Sequence, residues 1–441
     1  MASPEFALRS SRVITPAGER AGAVHVRDGR IVDVLDQAPA GLTIHDVGDS
    51  VILPGVVDAH VHVNEPGRTE WEGFETATRA AAAGGITTIV DMPLNSIPVT
   101  TTVEALEIKR AAARSKVWVD CAFWGGVVPG NLDDLPGLMA AGARGAKAFL
   151  VHSGIDEFPA SDSNTLRAAM NALKAAGRPL LAHAELMGVC CAAPTSAIDY
   201  RDYLASRPRA WENDAIQLLI SLCRDTRCRT HIVHLSSSDA IAIVAAAKAE
   251  GLPLSAETCP HYLTFEAEAI PDRSPAYKCA PPIREHENRE RLWQALRDGV
   301  VDVVVSDHSP STPDLKTKGG GDFMAAWGGI ASVQFSLSAV WTEAVARGFT
   351  LGDVSRWMSR NSARLSGLEA RKGSLAAGMD ADLVVFDPEA SYRVETNAVL
   401  HKNPLTPYLG MTLKGVVKQT YVRGLKVYDH GTFDGPHGDL L

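Results

Sequence analysis

Eight apolar strand candidates, separated by stretches of helical periodicity, constrain this chain more than any other feature. The strand candidates are 52–57, 86–91, 116–123, 144–151, 179–183, 230–235, 252–257 and 301–306. Helical patterns fill the gaps, for example 70–83, 102–114, 210–226, 238–250 and 287–298. Strands that alternate with helices in this way build a parallel sheet, and eight of them predict a (β/α)8 barrel. A doubly wound open sheet is the alternative, disfavoured because no GxGxxG turn follows the first strand. In a barrel the active site sits at the C-terminal ends of the strands. A reactive residue at a strand end is therefore a candidate pocket residue.

The flanks read differently. In residues 7 to about 52, Val24, Val26, Ile31, Val32 and Val34 flank the turn Asp28-Gly29, a hairpin signal. From about 373 to 441, the runs Asp382 to Asp387 and Val416 to Val422 read as strands, with turns at Gly424 and Asp429-His430-Gly431. Neither flank builds a core alone, so the expectation is one small β domain from 1–52 and 373–441, with the barrel in 53–372.

Composition removes several classes of function. With 441 residues, 46% hydrophobic and 22% charged, the chain reads as an ordinary soluble globular protein. A net charge of −9 without a basic cluster argues against nucleic acid as a partner. No run approaches the roughly 20 apolar residues needed to span a bilayer. Met1 to Arg9 lacks the pattern of a signal peptide. The seven cysteines include no CxxC pair, and the adjacent Cys190 and Cys191 read as two reduced buried thiols. The expectation is a cytoplasmic enzyme.

The strand ends carry the chemistry. Val56-Val57-Asp58-Ala59-His60-Val61-His62 reads as a buried strand ending in two histidines at i and i+2, on one face. Two neutral imidazoles there make half of a metal site; the alternative is a chance pair of loop histidines. Strand five ends in His183, strand six in His234 and strand eight in Asp307. Lys147 lies within the apolar fourth strand. As a cation it is costly there and repels metals. After addition of CO2 its amine becomes a carbamate, an anionic ligand able to bridge two metal ions. The alternative is a buried lysine paired with an acid such as Asp307. Asp307 suits a metal ligand that also accepts a proton from attacking water; the alternative is a helix N-cap.

The order HxH, Lys, His, His, Asp on strands one, four, five, six and eight resembles the binuclear cyclic amidohydrolases: dihydropyrimidinases, hydantoinases, dihydroorotases and allantoinases. The run Gly373-Ser374-Leu375 through Asp382-Leu383 is similar to the same superfamily, so the resemblance covers nearly the whole chain. It implies a distorted (β/α)8 barrel with a β-sandwich from both termini, and hydrolysis of a cyclic amide by a metal-bridging hydroxide. It also implies His60, His62, Lys147, His183, His234 and Asp307 as ligands to two divalent ions, with Lys147 as N6-carboxylysine. Zinc is the first expectation; cobalt, manganese, nickel and iron suit the same donors. A homo-oligomer, in particular a tetramer, is implied as well.

The segments Asn64 to Thr76 and Asp91 to Ser96 resemble allantoinases most, which implies opening of the hydantoin ring of allantoin to allantoate. Dihydroorotases place an Arg two residues after the second histidine to hold a carboxylate; Asn64 stands there, a neutral donor and acceptor or else a turn residue. Hydantoinases and dihydropyrimidinases carry a Tyr five residues after the lysine; His152 stands there, as a hydrogen-bond donor to the scissile carbonyl or as a surface loop residue. Further substrate contacts implied are Asn95, the backbone of Ala280 in Cys279 to Arg284, and the backbone of Gly328 and Gly329. His261, in Glu257 to Tyr262, reads as structural. The rival readings are a hydantoinase or dihydropyrimidinase, a dihydroorotase, and a non-catalytic scaffold of the same fold. This chain keeps all six ligand positions, which weighs against the scaffold.

Overall fold

Gly55 divides what the sequence presents as one strand. In the computed structural model, which describes residues 5–188 and 196–441, the expected strand 52–57 is two: Val51–Pro54 and Val56–Val61. A Cβ at Gly55 would run into the Thr87 side chain, so only glycine lets the chain cross here. Gly55 N donates to Asp382 O at 2.8 Å and Val56 N to Gly85 O at 3.1 Å, one bond into each sheet. An apolar run carries no mark of such a change of partner. Cys190 and Cys191 lie outside the described residues.

Val51–Pro54 pairs antiparallel with Leu383–Arg393 and parallel with Phe6–Thr15. That pairing ties the two ends of the chain into one nine-stranded sheet. Phe6–Thr15, Gly18–Arg27 and Arg30–Leu35 follow on one side, and Thr412–Val422, Leu425–Asp429 and Thr432–Phe433 on the other. At the expected hairpin, Asp28 and Gly29 have φ of 51° and 74°. Positive φ at both positions marks the two-residue turn that matches strand twist. Leu8, Val24, Val26, Ile31, Leu383 and Val385 form the separate core of this β-sandwich.

The other strands make the barrel: Val56–Val61, Ile86–Asp91, Asp120–Phe123, Ala146–Phe149, Leu180–His183, Thr230–Ile232, Leu254–Thr258 and Val303–Val304. Together with the short piece Gly125–Gly126 they form a three-stranded and a six-stranded parallel segment. At one seam the third strand breaks after Phe123 and resumes as Gly125–Gly126, which pairs with Ala146–Phe149. At the other, His62 N donates to His308 O at 2.8 Å, and Asp58 accepts from Ser306 N at 3.1 Å. These two irregular seams make the barrel distorted.

Helices cover the outside by burying one stripe each. Arg209–Thr226 buries Ala215, Ile216, Leu219, Ile220 and Cys223 at helical spacing. Val103–Ala113 and Ser163–Ala175 start at Thr102 and Asp162, whose side chains accept from Ala105 N and Thr165 N. Among the described residues no helix is long and apolar enough to cross a membrane.

At the N-terminal end of the barrel, Lys372 joins barrel to sandwich. Its ammonium is buried 2.5 Å from Asp120, 2.9 Å from Asp380 and 2.7 Å from Asp382. Arg423 also pairs with Asp120. The three acids lie close enough together to hold a metal ion, but the lysine fills their centre.

Candidate active site

His60 ends the first barrel strand and His62 follows two residues later, with ring centroids 5.4 Å apart. Both face the C-terminal mouth, as the i, i+2 spacing predicts. Asp307 arrives from the end of strand eight. Its Oδ1 lies 3.2 Å from His60 Nε2 and 3.6 Å from His62 Nε2. The first contact is off hydrogen-bond geometry, so His60 Nε2 has no hydrogen-bond partner although fully buried. His183 ends strand five and His234 lies two residues beyond strand six, with His183 Nδ1 3.0 Å from His234 Nε2. His234 Nδ1 is also buried without a partner. His234 and Asp307 have φ of 38° and 44°. Non-glycine residues rarely adopt that backbone, and such strain gathers at functional sites.

Burial pushes His183 down to about 4 and His62 and His234 well below the ordinary imidazole value. These rings are neutral at pH 7 and offer lone pairs, the form a metal needs. Glu257 orients His60: its Oε1 meets His60 Nδ1 at 2.5 Å, and its Oε2 meets His231 Nε2 at 2.8 Å. Although burial pushes the Glu257 carboxyl up, His60 and His231 hold it well below the usual carboxylate range. Glu185 does the same for His183, at 2.8 Å, and is held by Arg207. Carboxylates on the far side of imidazoles fix which ring nitrogen faces the site.

Lys147 is 1% exposed, and no carboxylate among the described residues pairs with it; its Nζ lies 5.2 Å from the Phe149 ring centroid. The ion-paired alternative is therefore absent. Burial pushes its ammonium down to about 8, against the pull of Glu257 and Asp307. Orphaned imidazole nitrogens, a convergent carboxylate and an uncompensated lysine form a donor set that fits divalent cations.

These side chains line one cavity of about 90 Å³. Of the expected residues it brings together His60, His62, Asn95, Lys147, His183, His234, Ala280, Asp307, Gly328 and Gly329. Asn95 Nδ2 sits 3.5 Å from His62 Nδ1. An outer cleft of about 660 Å³ shares Phe149, His183, Ala280, Trp327 and Gly328 with it.

The residues 51–427 match the family model described as the amidohydrolase family. The allantoinase of Streptomyces avermitilis is 53% identical across 100% of this chain and 99% of its own length. That of Saccharomyces cerevisiae is 44% identical across 99% of each. Among solved structures, an L-hydantoinase (dihydropyrimidinase) from Arthrobacter aurescens superposes with a TM-score of 0.94 at 31% identity, over 100% of this chain and 99% of that one. The chain belongs to the amidohydrolase family. Within that family its full-length relatives group it with the allantoinases.

Two expected substrate contacts stand off the inner cavity. Asn64 is buried with φ of 67°, and its Nδ2 donates to Pro310 O at 3.4 Å. Its backbone makes the turn after the strand. His152 lines the outer cleft, where Gly154 N donates to its Nδ1 at 3.1 Å and Asp156 lies 3.3 Å from its Nε2. His261 is fully buried beside Tyr262, off the cavity lining, with neither ring nitrogen partnered.

Sequence reasoning passed over Glu257, Glu185 and Phe149, which stacks on His183 at 4.5 Å. Glu257 did carry a signal: an acid at the end of an apolar strand needs a partner as much as Lys147 does. Glu185 followed His183 by two residues and could have been read as its orienting carboxylate.

Proposed function

We propose that this chain opens the hydantoin ring of allantoin, yielding allantoate. The observation that carries the reading is the convergence of His60, His62, Lys147, His183, His234 and Asp307 on one cavity, in a chain 53% identical over its length to an allantoinase. The site holds two divalent ions, zinc first among them, with cobalt, manganese, nickel and iron as substitutes. Bound ions supply Lewis-acid polarisation of the ring carbonyl and activation of water.

The chain's own residues do the rest. The Lys147 ammonium loses a proton to solvent, and the free amine then adds CO2 with release of a second proton to give N6-carboxylysine, which replaces an unpaired buried cation by an anionic ligand. Asp307 accepts the proton of the attacking water and delivers it to the leaving ring nitrogen. Ser309 Oγ, donating to Asp307 Oδ1 at 2.9 Å, keeps that carboxylate turned to the site. The backbone of Ala280, Gly328 and Gly329 grips the ring, and Asn95 contacts it. Asn64 acts through the turn it makes, and His152 meets the ureido tail in the outer cleft. Residues 53–372 carry the reaction, and 1–52 with 373–441 buttress the barrel. The working form is a cytoplasmic homo-oligomer, a tetramer.

Charge separates this reading from a dihydroorotase. Among the described residues, the inner cavity lining contains no guanidinium. Arg68 is spent elsewhere: it donates to Asn95 O at 3.0 Å and pairs with Glu157 at 3.0 Å. A substrate carboxylate would be desolvated there without a matched partner. A hydantoinase or dihydropyrimidinase reading has the fold likeness behind it. The test is a panel of allantoin, hydantoin, dihydrouracil and dihydroorotate with metal-loaded enzyme. Allantoin should give the highest kcat/KM; faster turnover of any other member overturns the substrate assignment.

A further inference from the structure

Lys316 is a buried cation without a counter-anion. It is 4% exposed, and no carboxylate among the described residues pairs with it. Its ammonium donates instead to three backbone carbonyls: Lys278 O at 3.0 Å, Trp327 O at 3.0 Å and Gly329 O at 2.5 Å. All three of its donors are thereby used. Burial pushes it down to about 7, and the three carbonyls are the hydrogen-bond partners its ammonium has. A methionine would fill the space more cheaply if packing were the only need.

The three carbonyls belong to two separate loops. Lys278 precedes Cys279 and Ala280; Trp327 and Gly329 bracket Gly328. Ala280, Gly328 and Gly329 all line the inner cavity. One direct bond, Gly329 N to Lys278 O at 2.8 Å, also joins the loops. Lys316 ends the short helix Pro313–Lys316, which follows closely on Asp307, and Trp327 N donates to Leu315 O at 3.0 Å. A trans peptide points its N–H opposite its C=O. With the Trp327 carbonyl turned to Lys316, the Gly328 N–H turns away from it. That N–H, and both backbone polar groups of Ala280, make no hydrogen bond among the described residues.

We propose that Lys316 is a positioning residue that sets the gap between these two backbone edges, so that the peptide groups of Ala280 and Gly328 grip opposite sides of one cyclic-amide ring. The proposal rests on the cyclic-amide reading above. It makes Lys316 a determinant of ring binding and of ring size, although it touches no reacting atom. Its three bonds act on the two loops at once, and the Lys278 side chain adds a second tie, donating to Ala326 O at 2.5 Å and Met324 O at 3.2 Å.

The test compares wild-type enzyme with Lys316→Met and Lys316→Gln, both metal-loaded, using allantoin and acetohydroxamate. Acetohydroxamate is a small metal-directed inhibitor that does not span the two loops. In Lys316→Met, KM for allantoin should rise about tenfold or more while kcat stays within about threefold, in line with loss of binding shared by ground and transition states. The acetohydroxamate inhibition constant and the metal content should not change. Lys316→Gln, which retains two donors, should fall between wild type and Lys316→Met, and it carries the test if Lys316→Met does not fold. Wild-type enzyme should prefer hydantoin to dihydrouracil, and that preference should shrink in both variants, because a slack gap no longer selects the smaller ring. An unchanged KM in the folded variants overturns the proposal. So does a parallel rise in KM and the acetohydroxamate constant, which would mean general collapse of the site. If the wild-type enzyme prefers a different cyclic amide, the allantoin reading fails by itself, and the same KM comparison on the preferred ring still decides the role of Lys316.

Discussion

Replacing Lys372 with methionine tests whether the buried acid cluster joins barrel and sandwich. The wild-type ammonium is 0% exposed in its side chain and within 2.9 Å of three carboxylates. Arg423 would still pair with Asp120, and Arg371 with Asp380 at 2.9 Å. Asp382 would lose its cation and keep only hydrogen bonds such as that from Arg423 N at 2.9 Å. Methionine matches the stem of lysine in volume, so packing changes little and the loss is electrostatic. Breaking a buried pair by removing one partner costs about 3–5 kcal/mol. A chain of 441 residues has an unfolding entropy near 60 °C of roughly 0.9 kcal/mol/K if it unfolds in one step, so the melting temperature should fall by about 3–5 °C. Calorimetry of the metal-loaded enzyme reads that shift. Lys372→Met/Asp382→Asn should recover part of it, because the stranded charge is gone. The cluster lies at the start of strand three, away from the mouth that holds the ligands, so kcat/KM at 25 °C should stay at the wild-type value. A single mutant melting within about 1 °C of wild type, or a double mutant less stable than the single, refutes this account of the joint.

Asp307→Asn should fold and lower kcat by about a hundredfold or more, as loss of a general base does; elemental analysis must show retained metal, and near wild-type turnover in that protein would remove Asp307 from proton transfer. Lys147→Ala should lose activity and metal together, and short carboxylic acids should restore part of both; a mass spectrum of active native enzyme lacking the added CO2 would count against carboxylation. Glu257→Gln should weaken metal binding by about 10–100-fold, because the amide no longer fixes the His60 tautomer, and titration against a chelator measures it. Prolonged chelation should abolish turnover, and zinc with bicarbonate should restore it; full activity in demetallated enzyme would end the metal reading.

The eightfold alternation of apolar and helical stretches was legible because parallel strands and their covering helices each impose a strong local pattern. His60, His62, His183, His234 and Asp307 were legible by the rule that barrel strand ends face the pocket. Lys147 was legible because a lone charge in an apolar strand is expensive unless it is used. The partners of these residues were not. Glu257 is 197 positions from His60, and nothing in either local pattern links them.

The sequence by itself therefore determined the fold class and pointed to the strand-end residues that converge on one cavity, since period, strand ends and misplaced charge are properties of short segments. Tertiary structure alone decided that Gly55 ends one sheet and begins another, since that turns on contact with Thr87. It likewise decided that Asn64 makes a turn, that His152 stands in the outer cleft, and that Lys316 and Lys372 hold separate parts of the chain together. These are matters of which distant groups meet. A buried cation must find its acceptors wherever the fold brings them, and that choice is made only when the barrel closes.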